Sequence, residues 1–301
     1  MIENSWTTST IEVTPDSELQ LRHYPGAKGG PAVLMIHGLG ERSDVFAPSS
    51  GGGLAPCLAA AGYDVYVPDL RDRVSPDSVK PDITQQQLIC EDLPALFKIL
   101  AQNHPGQCFF LVGHGWGGVL LAAALIRQPV WIGQIAGVVQ FAVRRRCAQY
   151  NWQQRLLIGG LWNRVAPALG RYKGYIPLCG LGLGATDISL ALHAQSRIWQ
   201  YSGIWRDPQD GFDYAAALSG ISWPSSLYVS GNKDRVWAHF ADVKTFAREL
   251  GHHDAQLVLL EKGPGSARNY GHQDLLTHPH AASDHFPLVL SWLARQSKPL
   301  N

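Results

Sequence analysis

Neither sign of charge is in excess in this chain. Lys and Arg number 25 against 24 Asp and Glu, for a formal net charge of +1 at pH 7. Holding a phosphate backbone needs a basic surface, so this balance excludes nucleic acid as the main partner. Long apolar runs are also missing. The longest lies around Val119–Ile126, far short of the ~20 residues that a membrane-spanning helix needs, so no transmembrane segment is expected. Met1–Pro15 is polar and acidic and lacks the apolar stretch of a secretory leader. Cysteine is sparse and odd in number: Cys57, Cys90, Cys108, Cys147 and Cys179. Their wide spacing, with three in apolar runs, predicts buried free thiols in a reducing compartment, hence a cytoplasmic protein. Charged residues make up only 16%, which excludes a disordered chain.

Short apolar runs alternate with helical patterns. Strands are predicted at 11–14, 19–24, 32–37, 64–68, 108–113, 135–141, 226–230 and 256–260. The inner runs, such as AVLMI and FFLVG, are apolar at every position, as strands covered by helices on both faces must be. The first two alternate and lie close together, which predicts an antiparallel edge hairpin. Helices are expected at 54–61 (stopped by Gly62), through Ile89, Leu93, Leu96 and Leu100, at 119–127, at 242–250 (stopped by Gly251), and around Phe286–Leu293. This order predicts an α/β protein with a mostly parallel eight-stranded sheet and helices on both faces. Residues 143–222 break the rhythm. They are long, helical in pattern and rich in Trp and Tyr, and they fall between two strands. They are predicted to be a helical cap inserted into a core made of 1–142 and 223–301.

Four motifs follow apparent strands. His37-Gly38-Leu39-Gly40 and Gly113-His114-Gly115-Trp116-Gly117-Gly118 offer tight turns with free N–H groups. Ser230-Gly231-Asn232-Lys233-Asp234-Arg235-Val236 supplies a carboxylate, and Tyr270-Gly271-His272-Gln273-Asp274 an imidazole. Together with Gly62-Tyr63-Asp64-Val65 and Pro68-Asp69-Leu70-Arg71, this series resembles the α/β-hydrolase family, of esterases and lipases, from about Ala32 to Leu293 outside the insertion. The family sets a serine at the centre of G-x-S-x-G on a strained strand-to-helix turn, followed in chain order by its acid and its histidine. The resemblance implies Asp234 as the acid, His272 as the general base, and an oxyanion hole from the backbone N–H groups of Leu39 and Trp116. It implies no cofactor and no metal. The slot of the nucleophile holds Gly115.

Glycine can form no acyl-enzyme, and no Ser, Thr or Cys adjoins it. Losing a triad serine costs about a million-fold in turnover in a serine protease. Three readings stay open: an ester-hydrolase chain inactivated by a natural or engineered Ser→Gly change, a variant in which Asp234 and His272 activate water, or a ligand-binding or regulatory protein on a hydrolase scaffold. The expected partner in each is a small, apolar acyl or ester ligand. Trp199 and Trp205 are candidates to line its pocket; Trp152, Trp162 and Tyr201 are expected to build the insertion's own core with them. Gly180-Leu181-Gly182-Leu183-Gly184 reads as a hinge of the insertion, since no buried strand precedes it and no lysine follows as in a phosphate loop. His278, His280 and His285 fit no standard metal spacing. Arg144-Arg145-Arg146 reads as a solvated face, with contact to an anionic substrate or a lipid as its functional alternative.

Overall fold

The computed structural model describes residues 6–49, 51–71, 73–74, 82–149, 151–263 and 265–297. Met1–Ser5, part of the segment in which a leader was sought, lie outside them. All eight expected strands form: β1 (Thr7–Thr14), β2 (Ser17–Tyr24), β3 (Ala32–Ile36), β4 (Asp64–Asp69), β5 (Phe109–His114), β6 (Ile135–Phe141), β7 (Ser226–Gly231) and β8 (Ala255–Leu260). They make one sheet in the order β1-β2-β4-β3-β5-β6-β7-β8. The β1–β2 hairpin is antiparallel, as its alternation predicts, and β2 also meets β4 antiparallel. Every other pairing is parallel.

The apolar residues dictate this layering. Every position of β3 and β5 is buried, so both faces of the central sheet are covered. The covering helices include α1 (Leu54–Ala60), α2 (Leu93–Asn103), α3 (Trp116–Arg127), α4 (Leu190–Tyr201), α5 (Phe240–Glu249) and α6 (Phe286–Gln296). Pro94 follows a π-helical stretch at Leu88–Asp92 that leads straight into α2, the kind of irregular turn that accommodates a proline in a continuing helix. α3 starts earlier than the apolar run suggests, because Gly117 and Gly118 belong to the helix. Chain order departs from spatial order at β3: the chain runs from β3 to β4 on one side and then to β5 on the other. Such a switch point opens a crevice at the carboxyl ends of the strands. The cysteines are all unpaired, as expected, but of them Cys147 alone is buried: Cys57 and Cys90 are half-buried and Cys108 and Cys179 exposed. Among the described residues no helix is long and apolar enough to cross a membrane.

Residues 143–222 emerge between β6 and β7. Their aromatic residues do build a core: the Tyr214 ring lies 5.0 Å from that of Trp199 and 5.4 Å from that of Trp205. Arg145 ties this segment to the sheet domain. Its Nε and Nη2 donate to the two carboxylate oxygens of Glu249 on α5, each at 2.8 Å. Its Nη1 donates to the carbonyl of Trp199 at 3.0 Å, and its guanidinium lies 5.3 Å from the Trp205 ring. A buried, forked pair is costly to break from one side. Arg145→Ala is expected to destabilise the protein by about 3–5 kcal/mol, and Arg145→Lys to recover little, because an ammonium cannot reproduce the fork. Urea-unfolding midpoints of the two variants check this; a lysine variant as stable as wild type would count against the fork.

Candidate active site

The turn from β5 into α3 is made by a single residue, Gly115, at φ +51° and ψ −123°. Its N–H donates to the carbonyl of Phe141 at 3.0 Å, which pins the turn to β6. A residue with a side chain pays roughly 1–3 kcal/mol in this region of backbone space. The helix begins at once because Gly117 lets it press on the loop after β3: a Cβ there would stand 2.3 Å from the carbonyl oxygen of His37. That loop is held by the His37 ring. Nε2 accepts from the Leu70 N–H at 3.1 Å, so Nδ1 carries the proton and donates to the Gly38 carbonyl at 2.9 Å.

Asp234 and His272 meet beside this turn. His272 Nδ1 lies 2.6 Å from Asp234 Oδ2. Asp234 Oδ1 accepts the N–H groups of Trp237 and Ala238, both at 3.0 Å. Burial pushes this carboxyl's pKa up, but the attraction and hydrogen bond of His272 outweigh it, and the net shift is downward. A carboxylate so held fixes the ring and its tautomer, leaving Nε2 as the acceptor. The two loops are joined by the Lys233 N–H, which donates to the Tyr270 carbonyl at 2.9 Å. Nε2 faces Gly115: a Cβ on that residue would lie 3.2 Å from it. The three residues expected together are therefore brought together.

Glu41 and His114 were quoted in motifs, or passed over, without a role; the structure joins them under the site. Glu41 Oε2 lies 2.6 Å from His114 Nδ1 and accepts the Gly38 N–H at 2.8 Å. His114 Nε2 lies 3.2 Å from the His272 carbonyl oxygen. Burial works against the charge on Glu41, yet His114 brings its pKa down to about 2. Burial also works against the His114 charge, and Glu41 outweighs it, so that pKa is raised. The available signal was a carboxylate at the end of a glycine turn that follows a buried strand, a place where an unpaired charge would be costly. Ligand atoms of Glu41, His114 and His272 fall within 4.8 Å of one another, but both His114 nitrogens are engaged in the hydrogen bonds just given.

A cavity of about 630 Å³ opens above Gly115 and His272. Leu39 and Trp116, the residues expected to supply an oxyanion hole, form part of its wall. Trp199 and Trp205 do not line it. They are 0% and 2% exposed and serve the core of the insertion, where Trp199 Nε1 donates to the Arg206 carbonyl at 2.7 Å. Trp162 and Trp237 line the cavity instead, Trp162 while also buried in the core expected of it. Trp152, expected in that core, is 72% exposed. Gly182, Leu183 and Gly184 reach the wall too, on a loop tied down where the Ala185 and Thr186 N–H groups donate to the Gly40 carbonyl. His278, His280 and His285 do not converge: His278 Nε2 meets Arg268, and His285 Nε2 meets the Leu275 carbonyl at 2.7 Å.

The Glu41–His114 pair gives the fold a pH signature. Glu41 titrates in the folded protein near 2 and normally near 4.5, so its stabilisation is complete above about 4.5 and lost as pH falls toward 2. His114 is raised from 6.5, so its share is complete below about 6.5 and lost as pH rises through the folded value. Glu41→Ala is expected to cost about 3–5 kcal/mol within that window, and less on either side of it. Unfolding midpoints of both proteins from about pH 3 to 9 check this; a gap that stays constant below pH 4.5 would mean that Glu41 is not ionised in the folded state.

Comparison with known proteins places this geometry in context. No curated protein sequence matches the chain. Among solved structures it is similar to the α/β hydrolase GrgF from Penicillium sp. sh18, with 18% identity and a TM-score of 0.64, covering 97% of this chain and 99% of that one. It is also similar to a thermophilic esterase from Thermogutta terrifontis, with 16% identity, a TM-score of 0.59 and coverage of 97% and 100%. A monoacylglycerol lipase from Paleococcus ferrophilus gives 17%, 0.59, and 93% and 100%. At such identities the likeness shows the fold, which is that of the α/β hydrolases. Residues 29–195, more than half the chain, match the model of the Hydrolase_4 family, described as serine aminopeptidase, S33, and the chain belongs to that family.

Proposed function

We propose that the protein carries a carboxylic-ester hydrolase site whose nucleophile position is filled by Gly115. The observation that carries this reading is the Asp234–His272 pair, at 2.6 Å, aimed at a Cβ position 3.2 Å from Nε2. A serine oxygen on that Cβ would come within hydrogen-bond reach of the base, the arrangement that nucleophilic catalysis needs. In the chain as it stands, residues 143–222 act as a cap over a small acyl or ester ligand. The N–H groups of Leu39 and Trp116 polarise its carbonyl. Acyl-enzyme chemistry is blocked, so ligand is held and turned over little. A second reading draws on the same contact: with no side chain at Gly115, a water placed on Nε2 could be deprotonated and attack the held carbonyl, and the leaving alkoxide would recover the proton from His272.

Gly115→Ser tests the main reading. Serine brings backbone strain at φ +51° and pushes the His272 ring back by a few tenths of an ångström. The variant is expected to be less stable by about 1 kcal/mol, and to gain turnover of aryl and acyl esters together with stoichiometric labelling by a serine-directed phosphonate. A folded variant with neither gain would move the assignment to a binding protein without chemistry. Wild type should resist the phosphonate.

The water reading predicts a residual ester turnover in wild type that is lost in His272→Ala, because Nε2 is the only acceptor the reading assigns to the water's proton. Equal residual rates in both proteins across pH would eliminate it.

A further inference from the structure

The run Arg144-Arg145-Arg146 is not one solvated face. Arg145 is paired with Glu249 at 2.8 Å, and Arg146 reaches the same carboxylate at 4.0 Å. Arg144 is different. It is 7% exposed and forms part of the wall of the cavity above Gly115 and His272. Its Nε donates to the main-chain carbonyl of Trp237. Among the described residues no carboxylate comes within 4.0 Å of its guanidinium. Asp234 and Asp242 feel its charge from further away. The carboxylates in the cavity wall itself are engaged: Glu41 with His114 and Gly38, and Asp274 with the Gly271 N–H at 3.2 Å.

A buried guanidinium is expensive to keep without a paired anion, since the desolvation of an ion costs several kcal/mol. The chain nevertheless delivers one here. It leaves β6 through Ala142, at φ +49°, the sole non-glycine residue at positive φ among the described residues, and Ala142 itself lines the cavity. Leu183, Trp162 and Trp237 supply apolar surface in the same wall. We propose that Arg144 anchors a carboxylate on the ligand, so that the cavity takes a monoanionic ester, one acid group free and the other esterified, in preference to a neutral one. The guanidinium fork suits a planar carboxylate. The expectation of a wholly apolar ligand is revised accordingly: the ligand is apolar along its length and charged at one end. This inference rests on the reading of the cavity as an ester site and adds the substrate class.

Because Gly115 blocks the acyl-enzyme route, binding can be measured directly on the protein as it exists. The probes are monobenzyl glutarate, which carries one carboxylate, and benzyl methyl glutarate, its neutral diester, each titrated calorimetrically. Wild type is expected to bind the monoanion roughly tenfold or more tightly, the scale of a hydrogen bond to a charged group. In Arg144→Gln the two affinities should come within about twofold of each other. Arg144→Lys should keep part of the preference, and serves as the readout if the glutamine variant does not fold. A role limited to offsetting Asp234 and Asp242 would alter stability and leave the ratio of affinities in place, so a preference that survives both substitutions overturns the proposal. Equal binding of the two probes by wild type also overturns it while leaving the ester site standing. Binding of neither probe removes both.

Discussion

The turn at Gly115 is the constraint on which the site depends. A buried parallel strand must convert into a helix within one residue, and the helix must then lie against the loop that follows the neighbouring strand. The positive φ at Gly115 achieves the first, and the missing side chain of Gly117 permits the second. Because β3 and β5 are adjacent at the switch point of the sheet, the two loops that follow them border one crevice. A larger residue at Gly117 would lever the helix away and dissolve this convergence, whatever the chemistry at Gly115.

Charge beneath and beside the crevice is arranged in layers. Asp234 orients His272, and the Glu41–His114 pair lies under both, with His114 bound to the His272 main chain and its ring 4.6 Å from the His272 ring. Each buried carboxylate has an imidazole and main-chain N–H donors, so neither is left unpaired. Such networks are worth building only where fully satisfied. Arg144 is the exception, a cation in the cavity wall with no carboxylate within 4.0 Å among the described residues and a hydrogen bond to the Trp237 carbonyl.

The insertion shows how position along the chain can mislead. Trp199 and Trp205 sit in the most aromatic part of the segment and were the natural choices for a pocket. Residues 143–222 have large aromatic side chains to bury, and rings packed against one another bury them together. Trp199 therefore turns inward to Tyr214 and Trp205, on which Arg145 also rests. Trp162 and Trp237, on separate elements, reach the cavity because the packing of those elements carries them there.

What the sequence determined by itself is what local periodicity and spacing can encode. All eight strands and the antiparallel first hairpin followed from apolar runs and their periodicity, while Asp234 and His272 were implied by the resemblance of the turn motifs to a family. The tertiary structure alone decided which polar groups meet. Glu41 and His114 are 73 positions apart and pair only because β3 and β5 are neighbours. Arg144, Arg145 and Arg146 are indistinguishable as a run, and the bend at Ala142 sends the first into the cavity while Glu249, more than a hundred positions away, claims the other two. Charge pairing acts over a few ångströms in space, and a sequence specifies that distance only through the whole fold.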